Sequence, residues 1–130
     1  MNRIQDKIKE IECYIEELES IVPLNLEDYL SNLEKLLACE RAFEKIIEAV
    51  NDLAILFIRQ KRYDFSSEAK IFDILSQRNI ISKILGERLQ QAKGMRNFLI
   101  HGYDDVDLKV VWKTVQEDIP LLKQSLKNIN

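Results

Sequence analysis

Four polar residues lie in one short segment, and two of them are of the types that can cleave a phosphodiester. Arg96, Asn97, His101 and Tyr103 fall within eight positions, and His101 is the only histidine of the chain. Histidine donates or accepts protons near neutral pH. Arginine carries a permanent charge on a planar fork that suits phosphate oxygens. We therefore predict that Arg96 and His101 form a catalytic pair.

This pair favours RNA as the substrate. The histidine would handle the proton of a ribose 2′-OH or of the leaving oxygen, and the arginine would stabilise the charge that builds on the phosphate. Only RNA has the 2′-OH that acts as internal nucleophile, so no DNA substrate is expected. The two cysteines, Cys13 and Cys39, lack a CxxC spacing. Together with a single histidine they offer no evident metal site, so we expect neither metal nor cofactor.

The helical geometry of the segment also predicts an assembly. On an ideal helix, positions 96 and 101 lie about 140° apart and do not share a face. They can converge through the long arginine side chain, a distorted last turn, or a second copy of the protein. The third route makes a homodimer the expected state if this is a site.

The elements that position these residues are predicted to be helices almost throughout. Apolar residues recur at intervals of three and four, and the 130 residues include only three Gly and two Pro. The fold class predicted is all-α, an up-and-down bundle of four long helices and one short helix. The long helices are expected at about 2–21, 26–60, 80–101 and from 108 onward, and the short helix at about 68–77.

The ends of these helices carry recognisable signals. Pro120 should kink the last helix or split it near Asp118. The predicted C-terminal stop is Gly102. The predicted N-caps are Asn25, Ser66 or Ser67, Asn79 and Asp107.

Composition limits the remaining possibilities. The length predicts one domain, 1–130, and the formal charge of −3 excludes a globally basic nucleic-acid surface but not a local basic cleft. No apolar run is long enough to cross a membrane, and the first residues are typical of neither a signal nor a transit peptide. We therefore expect a cytoplasmic protein with no membrane partner.

The segment resembles a known family. R-N-x3-H-x-Y at the end of the penultimate long helix is similar to the R-x4-H-x-Y signature of HepT-like toxins, in the HEPN superfamily of small helical ribonucleases. The sequence Glu40-Arg41-Ala42 resembles the E-R-A core of that family, and the resemblance covers about residues 25 to 125. It implies an all-α bundle that dimerises, with the two motifs near one cleft.

The resemblance further implies a function and its regulation. It implies a metal-independent endoribonuclease toxin of a type II toxin-antitoxin pair, with Arg96 and His101 catalytic and Asn97 supporting them. The implied partner is an MntA-type minimal nucleotidyltransferase antitoxin, which transfers AMP from ATP to the motif tyrosine, here Tyr103. Glu40 is a supporting residue if it faces the motif and orients Arg96.

Other interpretations of the same residues stay open. His101 is alternatively a helix C-cap, Arg96 an ion-pair partner of Glu40 or Glu44, and Tyr103 a buried ring. The whole chain is alternatively a catalytically silent binding module that docks a nucleotidyltransferase or binds a nucleotide, or a purely structural bundle. Four basic residues are candidates for an RNA path, or else for simple solvent contacts: Lys61, Arg62, Lys109 and Lys113.

Overall fold

The computed structural model describes residues 2–64, 70–101 and 107–129, and every regular element within these ranges is an α-helix. The helical bundle predicted from the sequence is confirmed, with two short helices in place of one. In chain order the helices are α1 (Arg3–Ile21), α2 (Leu26–Ser31), α3 (Leu33–Lys61), α4 (Ile71–Gln77), α5 (Lys83–Ile100) and α6 (Leu108–Leu126).

Helix α1 packs its apolar stripe onto α3, as its periodicity predicts. Asn2 begins the helix, because its side-chain oxygen accepts a hydrogen bond from the backbone N–H of Ile4 at 2.9 Å. The stripe is therefore core of this chain, not a surface left free for a second copy. The buried stripe residues are Ile4, Ile8, Ile11, Ile15 and Leu18.

The prediction of one unbroken second helix is wrong. Asn32 interrupts it with an extended backbone (φ −117°, ψ 100°), and its side chain caps α3 by accepting from the N–H of Lys35 at 3.0 Å. Leu30, Leu33 and Leu37, which continue the apolar repeat across the break, are exposed. The periodicity misses this break because apolar residues continue at helical spacing through it.

The turn between α4 and α5 also differs from the prediction. Asn79 does not cap α5: its left-handed backbone (φ 60°) forms the turn itself, which asparagine tolerates better than most residues. The cap is Ser82, whose Oγ accepts from the N–H of Leu85 at 3.1 Å. The predicted signals at Ser66, Ser67 and Gly102 lie outside the described residues.

Helix α6 begins as predicted and runs unbroken through its proline. The Asp107 side chain accepts from the N–H of Lys109 at 2.9 Å, which confirms the predicted N-cap. The helix does not split near Asp118, since it runs through Pro120 to Leu126. Pro120 is exposed, so the backbone carbonyl that its ring leaves unpaired sits on the solvent side of the helix.

Helices α3, α5 and α6 enclose the core. Phe57 near the end of α3 lies beside Leu85 at the start of α5 and Leu126 at the end of α6. Helix α5 therefore runs antiparallel to both α3 and α6, so the end of α5 lies toward the start of α3. No helix in the described part of the chain is long and apolar enough to cross a membrane.

Candidate active site at the end of helix 5

Helix α5 carries the predicted motif to its last turn. The helix is regular to Ile100, and His101 is its C-cap, with its backbone N–H donating to the carbonyl of Asn97 at 3.1 Å. Because no distortion precedes the cap, Arg96 and His101 project about 140° apart. One helix thus presents the two side chains on different sides, as the spacing predicts. His101 is exposed.

Arg96 occupies a position that elsewhere on α5 belongs to the core. Leu85, Leu89 and Ala92 are buried along one stripe, and Arg96 follows one turn later on the same stripe. Its side chain is only 23% exposed. Its Nε atom is buried and has no hydrogen-bond partner among the described residues. The guanidinium is therefore embedded in the bundle on one edge.

Two neighbours contact the other nitrogens of Arg96. Nη1 donates to the Asn97 side-chain oxygen at 3.5 Å, a long contact, and Nη2 lies 3.6 Å from Oε2 of Glu48 on α3. The structure thus brings Asn97 to Arg96, as predicted for a supporting residue. It also adds an acid that sequence analysis did not identify.

The acid paired with Arg96 is Glu48 rather than Glu40 or Glu44. Glu40 lies two turns earlier on α3, about 12 Å along the helix, and makes no ion pair with Arg96. Burial raises the pKa of the Glu40 carboxyl, and the negative charge of Glu44 adds to this increase. Glu48 recurs at helical spacing after Glu40 and Glu44, but the register between α3 and α5 decides which acid meets Arg96.

The end of α5 is open on its apolar side. Phe98 and Ile100 are about half exposed, at 52% and 47%. Leu33 and Leu37 at the start of α3, the same end of the bundle, are exposed at 68% and 53%. Phe98 and Ile100, which belong to the motif segment, are therefore apolar side chains that one chain leaves largely exposed.

Two further predictions concern residues or groups near this site. Tyr103, the predicted AMP acceptor, lies outside the described residues. Across residues 2–64, 70–101 and 107–129, no group of three or more His, Cys, Asp or Glu side chains is arranged to hold a metal ion.

The bundle, which carries an arginine and a histidine at the end of its penultimate long helix, has the fold of a solved HEPN toxin. A solved structure of this class, a tri-AMPylated Shewanella oneidensis HEPN toxin in complex with MNT antitoxin, superposes with a TM-score of 0.86. It is 24% identical and covers 98% of this chain and 96% of that one. The family model described as Ribonuclease HepT-like matches residues 11–129. The chain belongs to this HepT-like family, as the sequence motif predicts.

Curated relatives carry nuclease names. A tRNA nuclease HepT of Aphanizomenon flos-aquae is 27% identical over 130 residues, which cover 98% of this chain and 87% of the relative. An mRNA nuclease HepT of Shewanella oneidensis is 28% identical over 82 residues, or 62% of each protein. These names agree with the predicted ribonuclease and, because they specify different RNAs, they do not select one for this chain.

Proposed function

We propose that this protein is a metal-independent endoribonuclease toxin of a type II toxin-antitoxin pair. The observation that carries the proposal is the guanidinium of Arg96, held on the core stripe of α5 at an open end of the bundle, with exposed His101 five residues on. Membership of the HepT-like ribonuclease family supports it, as do the nuclease names of relatives.

The proposed reaction is an internal transfer on RNA. The ribose 2′-oxygen attacks the adjacent phosphorus, the bond to the 5′-oxygen breaks, and a 2′,3′-cyclic phosphate and a 5′-hydroxyl remain. His101 acts as general acid or base on the proton of the 2′-OH or of the leaving oxygen. Arg96 stabilises the negative charge on the phosphate oxygens.

The proposed assembly is a homodimer that completes two sites. Since Arg96 and His101 diverge on one helix, a second copy packed against the open end supplies the missing partner of each pair. Exposed Phe98, Ile100 and Leu37 are suited to such a contact, because apolar side chains gain free energy on burial. Lys109 and Lys113 are exposed near the start of α6, at this same end, and suit an RNA path.

The proposed regulation acts on Tyr103. A cognate MntA-type nucleotidyltransferase transfers AMP from ATP: the tyrosine oxygen bonds to the α-phosphorus, the phenolic proton is lost and pyrophosphate leaves. The added bulk and negative charge, two residues from His101 in the sequence, would then exclude and repel a phosphodiester. The structurally similar HEPN toxin of Shewanella oneidensis, which is AMPylated and bound to an MNT antitoxin, supports this proposal.

The test uses unmodified protein, confirmed by mass, incubated with total RNA in EDTA. We expect the wild type to produce cyclic phosphate ends and the His101→Ala and Arg96→Lys variants to lose about 100-fold or more of the rate. Arg59→Lys is the matched control, since Arg59 is an exposed arginine at the other end of α3. It should cleave as the wild type does.

Two outcomes contradict the proposal. Equal cleavage by the wild type and His101→Ala identifies a contaminating nuclease. No cleavage by any unmodified protein favours the alternative, a silent helical module that docks a nucleotidyltransferase or binds a nucleotide.

A further inference from the structure

The Glu48–Arg96 pair has a geometry that stability does not explain. The Glu48 side chain is 57% exposed, and its oxygen lies 3.6 Å from the guanidinium. Exposed ion pairs of this length contribute little to folding free energy. Its consequence is local: it fixes where the guanidinium of Arg96 lies.

Glu48 has no competing cation in the described part of the chain. Lys45, one turn earlier on α3, pairs with Glu17 on α1 at 3.2 Å and covers the ring of Tyr14, with 4.4 Å between Nζ and the ring centroid. The carboxylate of Glu48 is therefore left to Arg96.

Burial and two polar contacts limit where the guanidinium of Arg96 lies. Nε is buried, Nη1 meets the Asn97 oxygen at 3.5 Å, and Nη2 meets the Glu48 carboxylate at 3.6 Å. Asn97 and Glu48 lie on separate helices, so together they fix the plane of the fork. Each Nη nitrogen carries two hydrogens, so one on each remains to bind a phosphate oxygen.

We propose that Glu48 is a positioning residue of the nuclease, which holds Arg96 in the orientation that contacts the scissile phosphate. This inference rests on the proposed function. It assigns Glu48 no contact with RNA and no proton transfer. A misplaced guanidinium stabilises the transition state poorly even when RNA still binds, so the effect falls on kcat more than on KM.

The test compares Glu48→Gln with Glu16→Gln, a matched change at an exposed glutamate of α1. Glu48→Gln keeps the shape of the side chain and removes its charge. We expect a roughly 10- to 100-fold lower kcat, a KM within about three-fold of the wild type, and unchanged thermal unfolding. Glu16→Gln should match the wild type in all three.

A second measurement does not depend on cleavage. ¹⁵N relaxation of the Arg96 Nε–H group reports the order of the guanidinium, and it should show more motion in Glu48→Gln and none added in Glu16→Gln. If the wild type does not cleave RNA, the proposed function fails while this measurement still tests Glu48. The inference is overturned if Glu48→Gln leaves both kcat and the order of the Arg96 guanidinium unchanged. It is also overturned if Glu48→Gln cleaves RNA faster, since Glu48 would then compete with RNA for Arg96.

Discussion

The two ends of α5 are built differently. At its start, Leu85 and Leu89 are buried between α3, α4 and α6, and Gly86 lets α4 approach so closely that an added Cβ would lie 3.0 Å from Ser76 Cβ. At its end, the same stripe carries Arg96, and Ile100 is about half exposed. A single helix thus changes from core to open surface within four turns.

This difference separates folding from function. The closed end buries its apolar residues within one chain and therefore determines the stability of the bundle. The open end has a charged group in a core position and apolar side chains without cover, which lowers its contribution to stability. We interpret the open end as half of the proposed active site, because its incomplete packing coincides with the motif proposed to be catalytic.

The largest expected difference in stability is between alanine substitutions at two phenylalanines, one at each end. Phe72 of α4 is fully buried and Phe98 is 52% exposed. Phe72→Ala should lower the free energy of unfolding by about 3–5 kcal/mol, since it leaves a cavity. Phe98→Ala should cost less than about 1 kcal/mol in the folding of one chain and should weaken self-association. Urea denaturation and sedimentation measure both; similar losses of stability would refute the distinction between the two ends.

A smaller contrast is expected between the two glycines inside α5. Gly86→Ala should lower the free energy of unfolding by about 1 kcal/mol, because the new methyl would also lie 3.2 Å from the carbonyl oxygen of Phe72. Gly94→Ala meets nothing within 4 Å, so it should raise that free energy by about 0.5–1 kcal/mol through better helix propensity. The same denaturation series measures both variants, and effects of the same sign would argue against a tight start and an open end.

The smallest expected effect is a pH dependence at Glu40. Burial, with Glu44 nearby, raises the pKa of this carboxyl in the folded state, so its ionised form disfavours folding. Glu40→Gln should therefore be slightly more stable than the wild type at pH 7. The difference should disappear as the pH falls below the carboxyl's ordinary range, where both folded and unfolded states are protonated. Denaturation at pH 7 and pH 3.5 tests this; a variant less stable at pH 7 would contradict it.

The sequence predicts the helices and the motif better than their spatial relations. The stripe of α1 and the cap at Asp107 follow from local spacing and side-chain chemistry, and both are confirmed. Asn32 is missed because a capping asparagine inside an apolar repeat does not alter the period. Glu48 is missed because four acids recur at intervals of four along α3 (Glu40, Glu44, Glu48 and Asp52), and only the packing of α3 against α5 selects one.

The most direct test of the half-site asks whether one arginine works with the histidine of another copy. Inactive Arg96→Ala and His101→Ala proteins are mixed after subunit exchange, and RNA cleavage in EDTA is measured. If each site pairs residues from both copies, a mixed dimer has one intact site of its two. At equal mixing half of the dimers are mixed, so about a quarter of the wild-type activity should return. If mixed dimers form, as native mass spectrometry would establish, and no activity returns, Arg96 and His101 act within one chain and the half-site account is wrong.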